Sequence, residues 1–206
     1  MPPNQTRRPI AARGSAWARA LAGWLARSSV TPNRISGFSV LVAGLGAGAL
    51  LAWPPVPGLL CFALGIQLRL ICNLLDGMVA VEGGKKSALG ALYNEFPDRL
   101  ADSLLIVAAG YAADLPWLGW WGALAAALTA YVRVFGGSLG LEQRFSGVMA
   151  KPQRMAVLTV AALLGAVEWS IWQTTYALTV GSYLVAVGAS VTCITRTVEI
   201  ARQLEG

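Results

Sequence analysis

The 206-residue chain is 56% hydrophobic and only 13% charged, with mean hydropathy +0.58 and a formal net charge of +6. A soluble domain carries about 25% charged residues, so this composition excludes an ordinary soluble globule. It predicts an all-α integral membrane protein with room for six spans of about 20 residues each. The chain has no histidine, which excludes His-based general bases, His metal sites and Ser-His-Asp triads.

Residues 1–13 are polar and basic and carry three prolines. The first 30 residues are basic and lack the apolar core and small-residue site of a cleavable signal. From Ser15 to Ala26, Trp17, Leu21, Trp24 and Leu25 recur at helical spacing, with Arg19 nearby and Arg27 just after. This predicts an N-terminal amphipathic helix at the membrane interface, lying on the bilayer or against the protein's own face. Thr31-Pro32-Asn33 marks the next helix start, a capping residue followed by Pro in the first turn.

Six apolar runs then follow: Ile35 to Trp53, Leu59 to Leu75, Ser87 to Ala113, Leu115 to Phe135, Met155 to Trp172 and Tyr176 to Thr195. Gly44, Gly46 and Gly48 in the first permit close helix contacts. Trp117, Trp120 and Trp121 open the fourth, as an interfacial belt does. The sequence therefore reads as one membrane domain, 1–206. Within it, 1–30 form a basic arm with the interfacial helix, and 31–200 form the six-helix body.

Lys and Arg gather in the N-terminal arm, the second-to-third and fourth-to-fifth connections and the tail. The alternate turns carry only Asp114 and Glu168. By the positive-inside rule both termini and the stretch 73–102 face the cytoplasm, as in a bacterial-type inner membrane. Cys61, Cys72 and Cys193 lie singly in apolar runs without metal spacing and read as apolar fillers.

The chemistry gathers between Asn73 and Asp102, which hold five of the ten carboxylates: Asp76, Glu82, Glu95, Asp98 and Asp102. Asn73 and Asp76 are three apart at the end of one run. Asn94, Asp98 and Asp102 are four apart in the next, so each set shares a helical face. Two helix ends joined by a Gly-rich loop would aim oxygen ligands at one point, as hard divalent cations require. The bland alternative is a rim of solvated charges. Against it, Asp98 and Asp102 lie within or beside a span, where ionisable groups are functional by default. Arg69, one turn before Asn73, either snorkels to the surface or pairs with the acidic cluster or a phosphate.

At these residues the chain resembles the CDP-alcohol phosphotransferases, whose signature reads D-x2-D-G-x2-A-R-x8-G-x3-D-x3-D. Without a gap it falls on Asn73, Asp76, Gly77, Ala80, Val81, Gly90, Asn94 and Asp98. Asn replaces the first and third Asp, and Val81 replaces the Arg. TPNRIS at Thr31 to Ser36 is similar to the start of the family's first span.

The resemblance implies two Mg2+ or Mn2+ ions on Asn73, Asp76, Asn94 and Asp98, with Asp98 also the catalytic base. It implies a donor site at Asn33, Ser36, Gly77, Ala80, Ser87 and Gly90, with CDP-diacylglycerol as donor and a small alcohol as acceptor. It further implies homodimers, with no nucleic acid as partner. Lys151 and Arg154 read as phosphate ligands or topology signals. Lys85 or Lys86 are candidates for the charge missing at Val81, and Glu95 and Glu82 for carboxylate charge. Asp102 is either a partner of Arg69 or Arg99, or an alternative base. An active phosphatidyltransferase is the first expectation. A family member that binds nucleotide lipid without turnover is the second, and a transporter the third.

Overall fold

The computed structural model describes residues 14–85, 87–141 and 147–205, and every long element in them is an α-helix. In chain order these are α1 (Ala16–Arg27), α2 (Pro32–Ala52), α3 (Pro55–Val81), α4 (Gly90–Ala112), α5 (Pro116–Ser138), α6 (Lys151–Trp172) and α7 (Tyr176–Glu205). Lys86 and Arg144 lie outside the described residues, as does the basic arm 1–13.

The helix starts follow from local chemistry. The Thr31 hydroxyl accepts from the Arg34 amide at 3.4 Å, and Pro32 fills the first turn of α2, where its missing N–H costs nothing. Pro also stands in the first turn of α3, α5 and α6. Two turns at the far end reverse through left-handed residues, Asp114 (φ 56°) and Gln173 (φ 55°).

α2 to α7 close into a ring. α3 packs on α2, α2 on α4, α4 on α5, α5 on α7, α7 on α6, and α6 back on α3. Phe62, Ile66, Leu105, Met155, Leu158 and Val185 fill its interior. The ring is tight because small residues meet backbone to backbone. A Cβ on Gly65 would lie 3.0 Å from the Gly46 Cα, and one on Gly110 would lie 2.5 Å from the Gly119 Cα. Such contacts are the usual means of helix association where lipid removes the hydrophobic drive. Outside, Leu45, Leu124, Trp120, Val167 and Ile194 are all more than half exposed. A continuous apolar exterior of this kind suits a bilayer rather than water.

Among the described residues five helices are long and apolar enough to cross a membrane: α2, α3, α5, α6 and α7. α4 differs from the other five ring helices because Glu95, Asp98, Arg99 and Asp102 crowd its first half. α1 also divides differently from the sequence pattern. Ala18 and Ala22 are buried, and Leu21 and Leu25 pack on the cluster of Leu74, Leu75, Met78 and Val79, whereas Trp17 and Trp24 stay exposed.

Candidate functional site

α3 runs fewer than two turns beyond the predicted end of the second span, and Arg69, Asn73, Asp76 and Ala80 share one stripe of this single helix. α4 brings Asp98 and Asp102 against that stripe, one turn apart. Pro97 stands just before Asp98 inside α4 and offers no amide to the preceding turn. α6 adds Lys151 and Arg154 from its first turn, and α2 adds Ser36.

Asp98 is the hub. Its Oδ1 accepts from Asn73 Nδ2 at 2.6 Å and from Arg69 Nη2 at 3.2 Å. Its Oδ2 pairs with Lys151 Nζ, and more distantly with Arg99 at 3.7 Å. Arg69, fully buried, also reaches Asp102 Oδ1 at 2.5 Å. Asp102 Oδ2 in turn holds Arg154 Nη2 at 3.1 Å, whose Nη1 donates to the Met149 carbonyl at 2.8 Å. Arg69 is thus a partner of the acidic cluster and does not snorkel. Asp102 is paired with Arg69 and Arg154. A guanidinium buried in a bilayer needs such neutralisation.

Asp76, also buried, accepts from the Ser36 hydroxyl at 2.6 Å, and Ser36 accordingly bridges α2 to α3. Asp76 is close enough to Asp98 and Lys151 to feel both charges. Asn33 Nδ2 donates to the Ser87 hydroxyl at 3.3 Å, which joins the start of α2 to the loop before α4. A Cβ on Gly90 would meet that hydroxyl at 3.7 Å. Gly77 and Ala80 are partly buried on the Asp76 helix. Asn73 Oδ1 is buried without a hydrogen-bond partner. Among the described residues no three His, Cys, Asp or Glu side chains converge as a metal shell, because two of the four motif positions are amides.

The remaining candidates face solvent or other partners. Asn94 is exposed. Glu95 turns to Arg133 of α5 at 2.5 Å and to Arg99 at 3.5 Å, so its charge is spent there. Lys85 donates to the carbonyls of Ser28 (2.5 Å), Val30 (3.1 Å) and Leu25 (3.4 Å), fastening the loop to the end of α1. Val81 and Glu82 are exposed. Arg196 falls in the expected tail and is not among the candidates above. α7 continues to Glu205 and buries Arg196, whose Nη1 donates to the Thr129 carbonyl at 2.7 Å. The spacing Ala189, Thr192, Arg196 marks the inward stripe of α7 and was the available signal.

No protein-family model matches the chain. It is 33% identical over 185 residues to the archaetidylinositol phosphate synthase of Aeropyrum pernix, covering 89% of this chain and 90% of that one. It is 28% identical over 192 residues to the phosphatidylinositol phosphate synthase of Streptomyces avermitilis, covering 88% and 77%. The fold matches crystal structures of Mycobacterium tuberculosis phosphatidylinositol phosphate synthase. With CDP-DAG bound, that structure gives a TM-score of 0.75 at 22% identity over 90% of this chain and 94% of the other. The complex with manganese and citrate gives 0.74, over 89% and 88%.

Fold and site together define a multi-pass helical membrane protein with a polar, ion-paired centre at one end of its bundle. The chain belongs to the CDP-alcohol phosphatidyltransferase family and is a transferase of phospholipid biosynthesis.

Proposed function

We propose that the chain transfers a phosphatidyl group from CDP-diacylglycerol to a small alcohol that carries its own phosphate, releasing CMP. The observation that carries this reading is the meeting of Asn73 and Asp76 of α3 with Asp98 of α4 beside Ser36. Three of the family's motif positions meet there, at the charged end of the bundle. The relatives are named for making inositol phosphate lipids, and an inositol phosphate is the acceptor class that such a product implies. The basic side chains beside the motif, Lys151 and Arg154, suit a phosphorylated acceptor or the donor diphosphate.

The residues fit a divalent ion in kind. Asn73, Asp76 and Asp98 offer hard oxygen donors, and the buried Asn73 Oδ1 lacks any other partner. We assign Mg2+ or Mn2+ to this centre, with two ions on Asn73, Asp76, Asn94 and Asp98 as the fullest loading. When bound, the metal supplies charge neutralisation for the diphosphate and the leaving CMP. Asp98 accepts the proton of the acceptor hydroxyl as its oxygen bonds to the phosphatidyl phosphorus. The bond from that phosphorus to the CMP oxygen breaks, and CMP leaves with the electron pair. Ser36 holds Asp76, while Asn33 and Ser87 order the loop beside the donor. Gly77, Ala80 and Gly90 leave room for the nucleotide.

The same reading takes α4 as a sixth span within one membrane domain. It sets α1 at the interface with Trp17 and Trp24 in the headgroups, and the charged end toward the cytoplasm of a bacterial inner membrane. It pairs two chains as a homodimer. A binding-only role has one observation in its favour: both Asp98 oxygens are engaged by cations. Purified protein incubated with CDP-diacylglycerol, Mn2+ or Mg2+ and a panel of alcohols including inositol phosphate decides between them. Metal-dependent CMP and a new lipid mass are expected. Nucleotide binding without CMP release under any metal would leave only the binding role.

A further inference from the structure

The charge balance around Asp98 is unusual for a centre meant to attract divalent cations. Arg69, Arg99, Lys151 and Arg154 face Asp76, Asp98 and Asp102, four cations against three carboxylates. The adjacent Glu95 and Arg133 pair adds nothing to that balance. The groups form one coupled set, since Lys151 feels Arg69, Asp98 and Asp102, and Arg154 feels Arg69 and Arg99. Asn at positions 73 and 94 removes two negative charges that the family signature would place here. Asn73 also does what Asp cannot: its amide N–H2 donates to Asp98 Oδ1 at 2.6 Å, so the two motif side chains hold together without an ion between them.

A free divalent cation approaching this cluster therefore meets net positive charge, with an ammonium already seated on Asp98 Oδ2. An anionic diphosphate reverses both conditions. It neutralises the excess charge, and it gives the flexible Lys151 side chain a competing partner. We propose that Lys151 and Arg69 hold Asp98 in a cation-saturated arrangement that admits a divalent ion only together with a diphosphate ligand, so that metal and nucleotide bind as a pair. This rests on the reading of the site as a CDP-alcohol centre. Lys151 is then a placeholder for the metal, and its departure is what frees Asp98 to act as a base.

The test is Mn2+ binding to the full chain in lipid nanodiscs, followed by electron paramagnetic resonance with and without CDP, with the CDP–Mn2+ complex titrated separately. CDP is expected to tighten Mn2+ binding at least tenfold, and Mn2+ to tighten CDP binding by the same factor, as linkage requires. Lys151→Gln is expected to bind Mn2+ better than the parent without CDP and to bring the ratio toward one. Lys151→Arg, which keeps the charge, should preserve the ratio. Circular dichroism verifies that both variants are folded, and the parent's ratio decides the matter even if Lys151→Gln does not fold. Equal Mn2+ affinity with and without CDP would overturn the pairing while leaving the proposed function standing. An unchanged ratio in folded Lys151→Gln would remove Lys151 from it. Inorganic phosphate reproducing the whole CDP effect would reduce the coupling to general anion screening and end the proposal. CDP failing to bind with or without Mn2+ would end the proposed function as well.

Discussion

The two ends of the helical ring are built on opposite principles. At the end away from the charged loops, α4 and α5 meet through Gly110 and Gly119, and α2 and α3 through Gly58 beside Ala49 and Leu50. One acid there, Glu168, is spent on structure. It accepts from the Tyr176 and Ala177 amides at 2.7 Å and from the Thr174 hydroxyl, capping the start of α7. At the other end Arg69, Asp76, Asp98, Asp102 and Arg154 are all buried, and ion pairs join α3, α4 and α6. One end is held by shape and the other by charge. Shape serves a ring that only has to stay closed. Charge at the opposite end leaves polar groups for the reaction centre proposed there.

The comparison breaks most sharply at Asp98. Asp98→Asn is expected to reduce CMP release by about a hundredfold or more, the range lost with a general base. Asp76→Asn should fall similarly, since it removes the other motif carboxylate. Full activity in Asp98→Asn would refute the assigned base and make Asp102 the next candidate. Arg69→Met tests whether charge holds this end together. Removing one member of a buried ionic set costs about 3–5 kcal/mol because the remaining charges lose compensation. The melting temperature in detergent should drop accordingly, and recover in part when Asp102→Asn is added. No change in melting would mean that α3 and α4 need no ionic link.

Gly110→Ala probes the opposite end. Its Cβ would collide with the Gly119 backbone, and overpacking of this kind costs about 1–3 kcal/mol. Stability should fall while kcat of the folded fraction stays unchanged; a matching loss of kcat would show the two ends to be coupled. The smallest effect is expected from Asn73→Asp. It replaces the hydrogen bond to Asp98 with a second carboxylate, so apparent Mn2+ affinity should rise severalfold without a necessary gain in rate. Unchanged affinity in a metal titration of CMP release would remove Asn73 from the ligand set.

How much of this was legible beforehand varies with the physical signal. Hydropathy and the Thr31-Pro32-Asn33 start placed most of the helices to within a few residues, because burial in lipid and the missing proline amide act locally. α3 and α7 extend further than expected: Asp76 and Gly77 interrupt the apolar run of α3 and the last turns of α7 are polar, yet both continue as helix, to Val81 and Glu205. Asn73, Asp76 and Asp98 were legible because a motif with fixed spacing forces side chains onto one helical face. The covalent chain by itself determined that α4 would be the polar helix, because four charged residues in its first half are a matter of composition. Only the tertiary structure decided which charges meet. Arg69 joins Asp98 and Asp102 across 29 and 33 residues of chain, Lys85 ends on the carbonyls around the end of α1, and Glu95 faces Arg133. Those pairings depend on how far each helix rotates in the ring, which close glycine contacts fix and no local pattern records.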